Sequence, residues 1–194
     1  MGLEVASSVL FWRHATIGEQ AAERRHRATQ EAWFPGLSEA RLRYLLAELE
    51  KRFPADSLNT LKTWQPSDEL QAPLVCHWHL QWSDPLYRDF TSGFLVGAWA
   101  RPEAGVTVNA VDDWLAQRGS HADWSPATRR RLASGLLAAA RDAGFLKGQG
   151  REKELRTVTV DQPSLNYLRS LLVTAEADSS CGEAIFLSGT VLGS

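Results

Sequence analysis

Helix punctuation constrains this chain more than any other feature, and residues 124–148 carry it most fully. Ser125 is a good N-cap, and Pro126 suits the first helical position, where its missing N–H costs nothing. Leu132, Ala133, Leu136, Leu137 and Ala140 then form one apolar stripe, and Gly144 supplies the stop. At the start of this helix stand Arg129, Arg130 and Arg131. Cations there oppose the positive end of the helix dipole by about 0.3–1 kcal/mol each. A phosphate brought to that end reverses the sign, because backbone N–H groups, dipole and guanidinium groups all attract it. A solvated basic turn with no target is the alternative reading of the same residues.

The same punctuation recurs along the chain. Thr16-Ile17-Gly18-Glu19 matches a capping box, whose helix is expected to run to Trp33 before Pro35. Its middle carries Arg24-Arg25-His26-Arg27, which spans nearly a full turn and cannot share one face. Ser38 caps a helix in which Leu42, Leu45, Leu46, Leu49 and Phe53 recur at helical spacing until Pro54. A further helix is expected within Leu74–Trp82, with Leu74, Val75, Trp78 and Trp82 on one face. Asp84-Pro85 opens the next, with Leu86, Phe90, Phe94 and Ala98 at i+4 spacing until Arg101-Pro102. Asn109, with Asp112 three residues on, opens a short helix ending at Gly119 that buries Val111, Trp114 and Leu115. Arg156-Thr157-Val158-Thr159-Val160 alternates as a strand does. Asp161-Gln162-Pro163 turns into a last helix with Leu165, Leu168, Leu171 and Leu172 inward. The tail beyond Ala175 is weakly patterned.

These segments predict a mainly α fold, a compact helical bundle with helix-turn-helix or winged-helix-like elements and a minor β-hairpin. At least six helices are expected, with strands confined mainly to Phe145–Val160. Gly105–Val111 is the most plausible seam, which would divide an N-terminal helical subdomain (1–105) from a C-terminal one (106–194).

The chain is 44% hydrophobic and 23% charged, as a soluble globular protein is. Its eight tryptophans are scattered, which suits core anchors better than a stacking platform. A net charge of −2 argues against a generic polyanion binder. The distribution argues the other way. Trp124–Arg156 holds eight Lys/Arg and three Asp/Glu, a net +5, whereas the remainder is −7. Charge is segregated onto the stretch with the arginine helix. Met1-Gly2-Leu3-Glu4 lacks the basic and apolar regions of a signal peptide, and no run approaches the ~20 apolar residues of a membrane helix. The expectation is a cytoplasmic protein, away from membranes, with Cys76 and Cys181 reduced.

Catalytic motifs are absent from the sequence: no G-x-S-x-G, no G-x-x-x-x-G-K-[ST] and no H-E-x-x-H. Cys76-His77-Trp78-His79 invites a metal reading, since Cys76 and His79 could share a helical face. Zinc needs three or four ligands, and no second pair stands at a suitable spacing. The expectation is a buried cysteine beside packed histidines, with no metal, no cofactor and no catalysis.

Nucleic-acid binding has positive support. Turning the apolar stripe inward puts Arg131 nearly opposite it, Arg130 on its flank and Arg129 beneath it at the helix end. Arg130 and Arg131 are therefore the candidates for phosphate or base contact, while Arg129 is expected to pair with an acid or stack on Trp124. Lys147, Arg151 and Lys153 follow in a glycine-bordered segment before the strand. A helix followed by a basic hairpin resembles a winged-helix layout, although an exposed loop with no target would look the same.

Leu80-Gln81-Trp82-Ser83-Asp84-Pro85-Leu86-Tyr87-Arg88-Asp89-Phe90, then Val111–Leu115, Trp124-Ser125-Pro126-Ala127-Thr128-Arg129 and Ala143-Gly144-Phe145-Leu146 resemble, in order, segments of the BrxA family. The helix at Arg41–Arg52 is similar to an early basic helix of that family. BrxA proteins are small accessory components of bacterial BREX phage-exclusion systems. The resemblance covers roughly residues 35–172. It implies a mainly helical fold with helix-turn-helix elements, double-stranded DNA as partner and no catalysis. By position it points to Arg129–Arg131 as part of a DNA-facing surface, and also to Arg41 and Arg43. Other BREX components, namely a methyltransferase, a phosphatase-like protein and a large ATPase, are the further partners it implies. Two readings from other classes stand beside it. One is an adaptor whose basic helix docks an acidic protein; the other is an RNA-binding bundle of the antitermination-factor type.

Overall fold

The computed structural model describes residues 2–67, 69–101, 105–118, 124–148, 150, 152–176 and 190–192. The chain divides into two compact units, Glu4–Ala72 and Pro73–Ser194, the latter taking in Met1–Leu3. The seam expected at 105/106 lies inside the second unit.

The first unit holds α1 (Val5–His14), α2 (Ala21–Gln30), α3 (Glu39–Arg52) and α4 (Ala55–Trp64). Ser38 caps α3 as expected, its hydroxyl accepting from the Arg41 N–H at 3.3 Å. Leu42, Leu45, Leu46, Leu49 and Phe53 are all buried, together with Phe11 and Trp12 of α1 and Leu58 and Leu61 of α4. Trp12 meets Phe53 edge-on with ring centres 5.2 Å apart, an arrangement aromatic quadrupoles favour. The predicted helix from Thr16 begins only at Ala21. Glu19 does reach the Thr16 N–H at 3.4 Å, but Gly18 adopts φ 79° and turns the chain before the helix starts. The helix also stops before Trp33. Ala32 takes φ 48°, and the Trp33 N–H bonds back to the Ala28 carbonyl at 3.1 Å.

In the second unit, α5 (Gln71–Ser83) departs from the expected one-sided helix. Every residue from Leu74 to Gln81 is buried. A helix sealed on all sides belongs in the interior, and it must satisfy each polar group it brings there. Next come α6 (Pro85–Asp89), a π-helical segment (Phe90–Leu95) and α7 (Val96–Ala100). Asp84 caps α6 by accepting from the Tyr87 N–H at 3.0 Å. The expected i+4 ladder holds at Phe90 and Ala98, while Tyr87, Thr91 and Leu95 are buried where Leu86 and Phe94 are only half-buried. The widened π turn shifts the buried face relative to uniform 3.6-residue spacing.

The chain continues through β1 (Val106–Thr107), α8 (Val108–Ala116), α9 (Pro126–Asp142), β2 (Leu146–Lys147), β3 (Glu152–Leu155), β4 (Val158–Val160), α10 (Gln162–Glu176) and β5 (Thr190–Leu192). Thr107, not Asn109, caps α8, through a 3.1 Å bond from the Ala110 N–H. Its expected end at Gly119 lies outside the described residues. One antiparallel sheet has the order β1-β3-β2, with Val106 opposite Lys153 and Leu146 opposite Leu155. Strand β4 pairs in parallel with β5, from Val158↔Thr190 to Val160↔Leu192. Thus β1 and β5 fall outside the predicted Phe145–Val160 window, being too short to display alternation. Trp12, Trp33 and Trp78 are core anchors, while Trp64, Trp82, Trp99, Trp114 and Trp124 are half-buried. Among the described residues no helix is long and apolar enough to cross a membrane.

Candidate nucleic-acid interface

Helix α9 forms where its punctuation places it. The Ser125 hydroxyl accepts from the Thr128 N–H at 3.3 Å, and Pro126 opens the first turn. At the other end Gly144 takes φ 88°, its N–H bonds to the Arg141 carbonyl at 2.9 Å, and the Phe145 N–H bonds to that of Ala140 at 3.0 Å. This is a Schellman termination, and the left-handed residue it needs is glycine. Ala133, Leu136, Leu137 and Ala140 are buried and Leu132 is half-buried, which fixes the rotation of the helix and hence the heading of its arginines.

The three arginines then separate as their phases require. Arg129 donates from Nε to Asp112 Oδ1 at 3.1 Å and from Nη1 to the Trp124 carbonyl at 2.8 Å. Its side chain is 17% exposed and that of Asp112 21%. Arg129 is therefore spent on holding α9 against α8 and the turn before it. Arg130 is exposed and donates from Nη2 to Asn109 Oδ1 at 3.1 Å. Arg131 is exposed and meets no partner among the described residues. Asn109 and Asp112 stand three residues apart on one face of α8, each holding an arginine of α9. In the sequence they read only as a helix cap. Their i, i+3 spacing was the available signal, but nothing in one sequence said which helix they would face.

Beyond α9 the β2–β3 hairpin brings more cations to the same unit. Lys147 is exposed. Lys153 folds onto its own turn, Nζ donating to the carbonyls of Gly148 at 3.1 Å and Gly150 at 2.8 Å. Arg151 lies outside the described residues. Arg41 and Arg43 stand on α3, in the other unit. Arg41 pairs with Glu4 at 3.2 Å and lies over the Tyr44 ring at 5.4 Å, while Arg43 is exposed.

The Cys-His-Trp-His stretch sits on buried α5. His77 Nδ1 is 2.9 Å from the Tyr87 hydroxyl and its ring packs edge-on against Phe145 at 4.5 Å. Burial drives its pKa down to about 3, so the imidazole is neutral. His79 Nε2 is 2.6 Å from the Tyr167 hydroxyl of α10, and Cys76 is buried. Among the described residues no three potential ligands gather in one place.

The BrxA family model matches residues 5–171, spanning α1 through most of α10. The chain belongs to the BrxA family. It is accordingly a BREX-associated protein of phage defence. No curated protein matches it. As a BrxA protein it carries the arginine helix and the hairpin within the matched span, along with α3.

Proposed function

We propose that this BrxA protein binds double-stranded DNA without catalysis of its own, through the first turns of α9 and the β2–β3 hairpin. The observation that carries the reading is the division of labour at the helix start. Arg129 is locked to Asp112, while Arg130 and Arg131 project into solvent beside a capped positive helix end. Guanidinium groups presented this way suit phosphate oxygens, and few amide side chains accompany them to read bases. The element order lends support. A helix, a short strand, two packed helices and a hairpin, with sheet order β1-β3-β2, is the layout of a winged helix. In this reading α9 serves as the recognition helix and the hairpin as the wing. The non-catalytic half is supported by His77 and His79, both fully buried against tyrosine hydroxyls and out of reach of a substrate.

The test is the double variant Arg130→Ala/Arg131→Ala, titrated with unrelated duplexes over a range of salt. Affinity should fall on every sequence alike, and the slope of log K against log salt should flatten by about 0.9 per lost phosphate contact. Unchanged affinity and slope would rule α9 out as the DNA surface and favour a protein-docking role for the helix.

A further inference from the structure

Arg129 and Arg130 are neighbours in the chain, and each is held by α8 at 3.1 Å, but by partners of different charge. Asp112 Oδ1 gives Arg129 a carboxylate, and the two formal charges cancel where both side chains are mostly buried. Asn109 Oδ1 gives Arg130 an amide oxygen, which accepts one N–H and takes no charge away. A guanidinium carries several N–H donors and no acceptor, so most of those on Arg130 stay unspent. Asn109 and Arg130 are both exposed, and Arg130 makes no ion pair among the described residues.

Resting on the reading of α9 as a phosphate-contacting helix, we infer that Asn109 is a positioning residue, which aims the Arg130 guanidinium at a DNA phosphate and leaves its charge to be used there. An exposed arginine samples many rotamers, and fixing it at the moment of binding costs entropy. A bond to a neighbouring helix made beforehand removes part of that cost. A carboxylate at 109 would hold the arginine as firmly but would oppose the phosphate with a charge of its own. The uncharged partner thus separates a guanidinium kept for a ligand from one committed to the fold. Helix α8 offers both kinds of partner, three residues apart on one face.

The experiment titrates the full chain with a fluorescein-labelled duplex over a range of salt, comparing Asn109→Ala, Asn109→Asp, Arg130→Ala and the double variant Asn109→Ala/Arg130→Ala. Asn109 lies in the first turn of α8, where alanine and aspartate both suit a helix, so circular dichroism should stay that of the parent. Asn109→Ala is expected to weaken binding about threefold, because the side chain must now be ordered on binding. The slope of log K against log salt should not change, since the phosphate contact survives. Asn109→Asp should weaken binding further and flatten that slope by about 0.9, as the new ion pair withdraws one cation from the phosphate. In the Arg130→Ala background, Asn109→Ala should change nothing. Full affinity in Asn109→Ala would overturn the inference, as would a loss that persists undiminished without Arg130. If Arg130→Ala itself binds as the parent does, the reading of α9 fails and the inference with it. A weakened Arg130→Ala beside an unaffected Asn109→Ala strikes the inference alone.

Discussion

Glu19 Oε1 lies 2.8 Å from Arg27 Nη1, and the same carboxylate meets Arg24 Nε at 3.5 Å with its side chain only 4% exposed. One buried acid thus gathers two arginines from a four-residue basic run. Arg24 also reaches Glu50 at 2.7 Å and the Thr16 and Glu19 carbonyls, and Arg27 reaches the Thr16 hydroxyl and the His14 carbonyl. Glu19→Gln keeps the shape and removes the charge. It should lower stability by about 2 kcal/mol, the scale of hydrogen bonds to charged groups, and loosen the 15–20 turn. Urea unfolding of the variant measures the loss, and an unchanged midpoint would show the cluster to be dispensable.

Ala32 should be improvable. It sits at φ 48° after α2, where Gly144 sits after α9, with the same pair of reversed backbone bonds. A left-handed alanine costs about 1–2 kcal/mol, offset in part by the greater freedom glycine has when unfolded. Ala32→Gly is expected to raise stability by roughly 0.5–1 kcal/mol, visible as a higher thermal midpoint.

Arg129 should answer differently from its neighbours. Arg129→Ala strands the half-buried Asp112 and removes the 2.8 Å bond to the Trp124 carbonyl. A loss of about 1.5–3 kcal/mol is expected. Arg129→Lys restores the charge but not the two-pronged geometry, and should recover only part of it. Arg130→Ala and Arg131→Ala should each stay within about 0.5 kcal/mol of the parent, as exposed substitutions do. Chemical denaturation of the four variants separates these outcomes.

His77 supplies a pH dependence of definite sign. Its folded pKa is about 3 against an unfolded value near 6.5, so between the two only the unfolded chain binds the proton. Stability is therefore fully present above pH 6.5 and falls by about 1.4 kcal/mol per unit as pH drops towards 3. His77→Gln removes that contribution. The stability difference between pH 6.5 and pH 5 should be smaller in the variant by about 2 kcal/mol.

The sequence was legible where a single residue dictates a backbone state. Ser38, Asp84-Pro85, Ser125-Pro126 and Gly144 each do what their chemistry demands. Elements without such residues were silent. Helix α1 follows Glu4 at φ 55° and α4 follows Pro54, and neither start has a side-chain cap. The capping box at Thr16–Glu19 showed the opposite failure, for its contact forms within a turn and not on a helix. In the candidate site, the stripe of α9 gave the headings of all three arginines, because helical phase is local. Asn109 and Asp112 were not assigned to them, because that depends on how two helices meet. Lys153 likewise read as a free cation, and only the turn geometry shows it bonded to its own carbonyls.

The pairing of β1 with β3 has a topological consequence. Val106 lies opposite Lys153, so the segment that begins with one and ends with the other has its two ends side by side. Such a stretch is a closed loop in space, hemmed at the base by a ladder of backbone bonds. New termini opened within it, or the segment grafted whole onto another scaffold, would have almost no gap to bridge. An exchange of this piece between relatives would therefore need only short joins at its base, but it would have to bring a Phe145 that fits against His77 of α5.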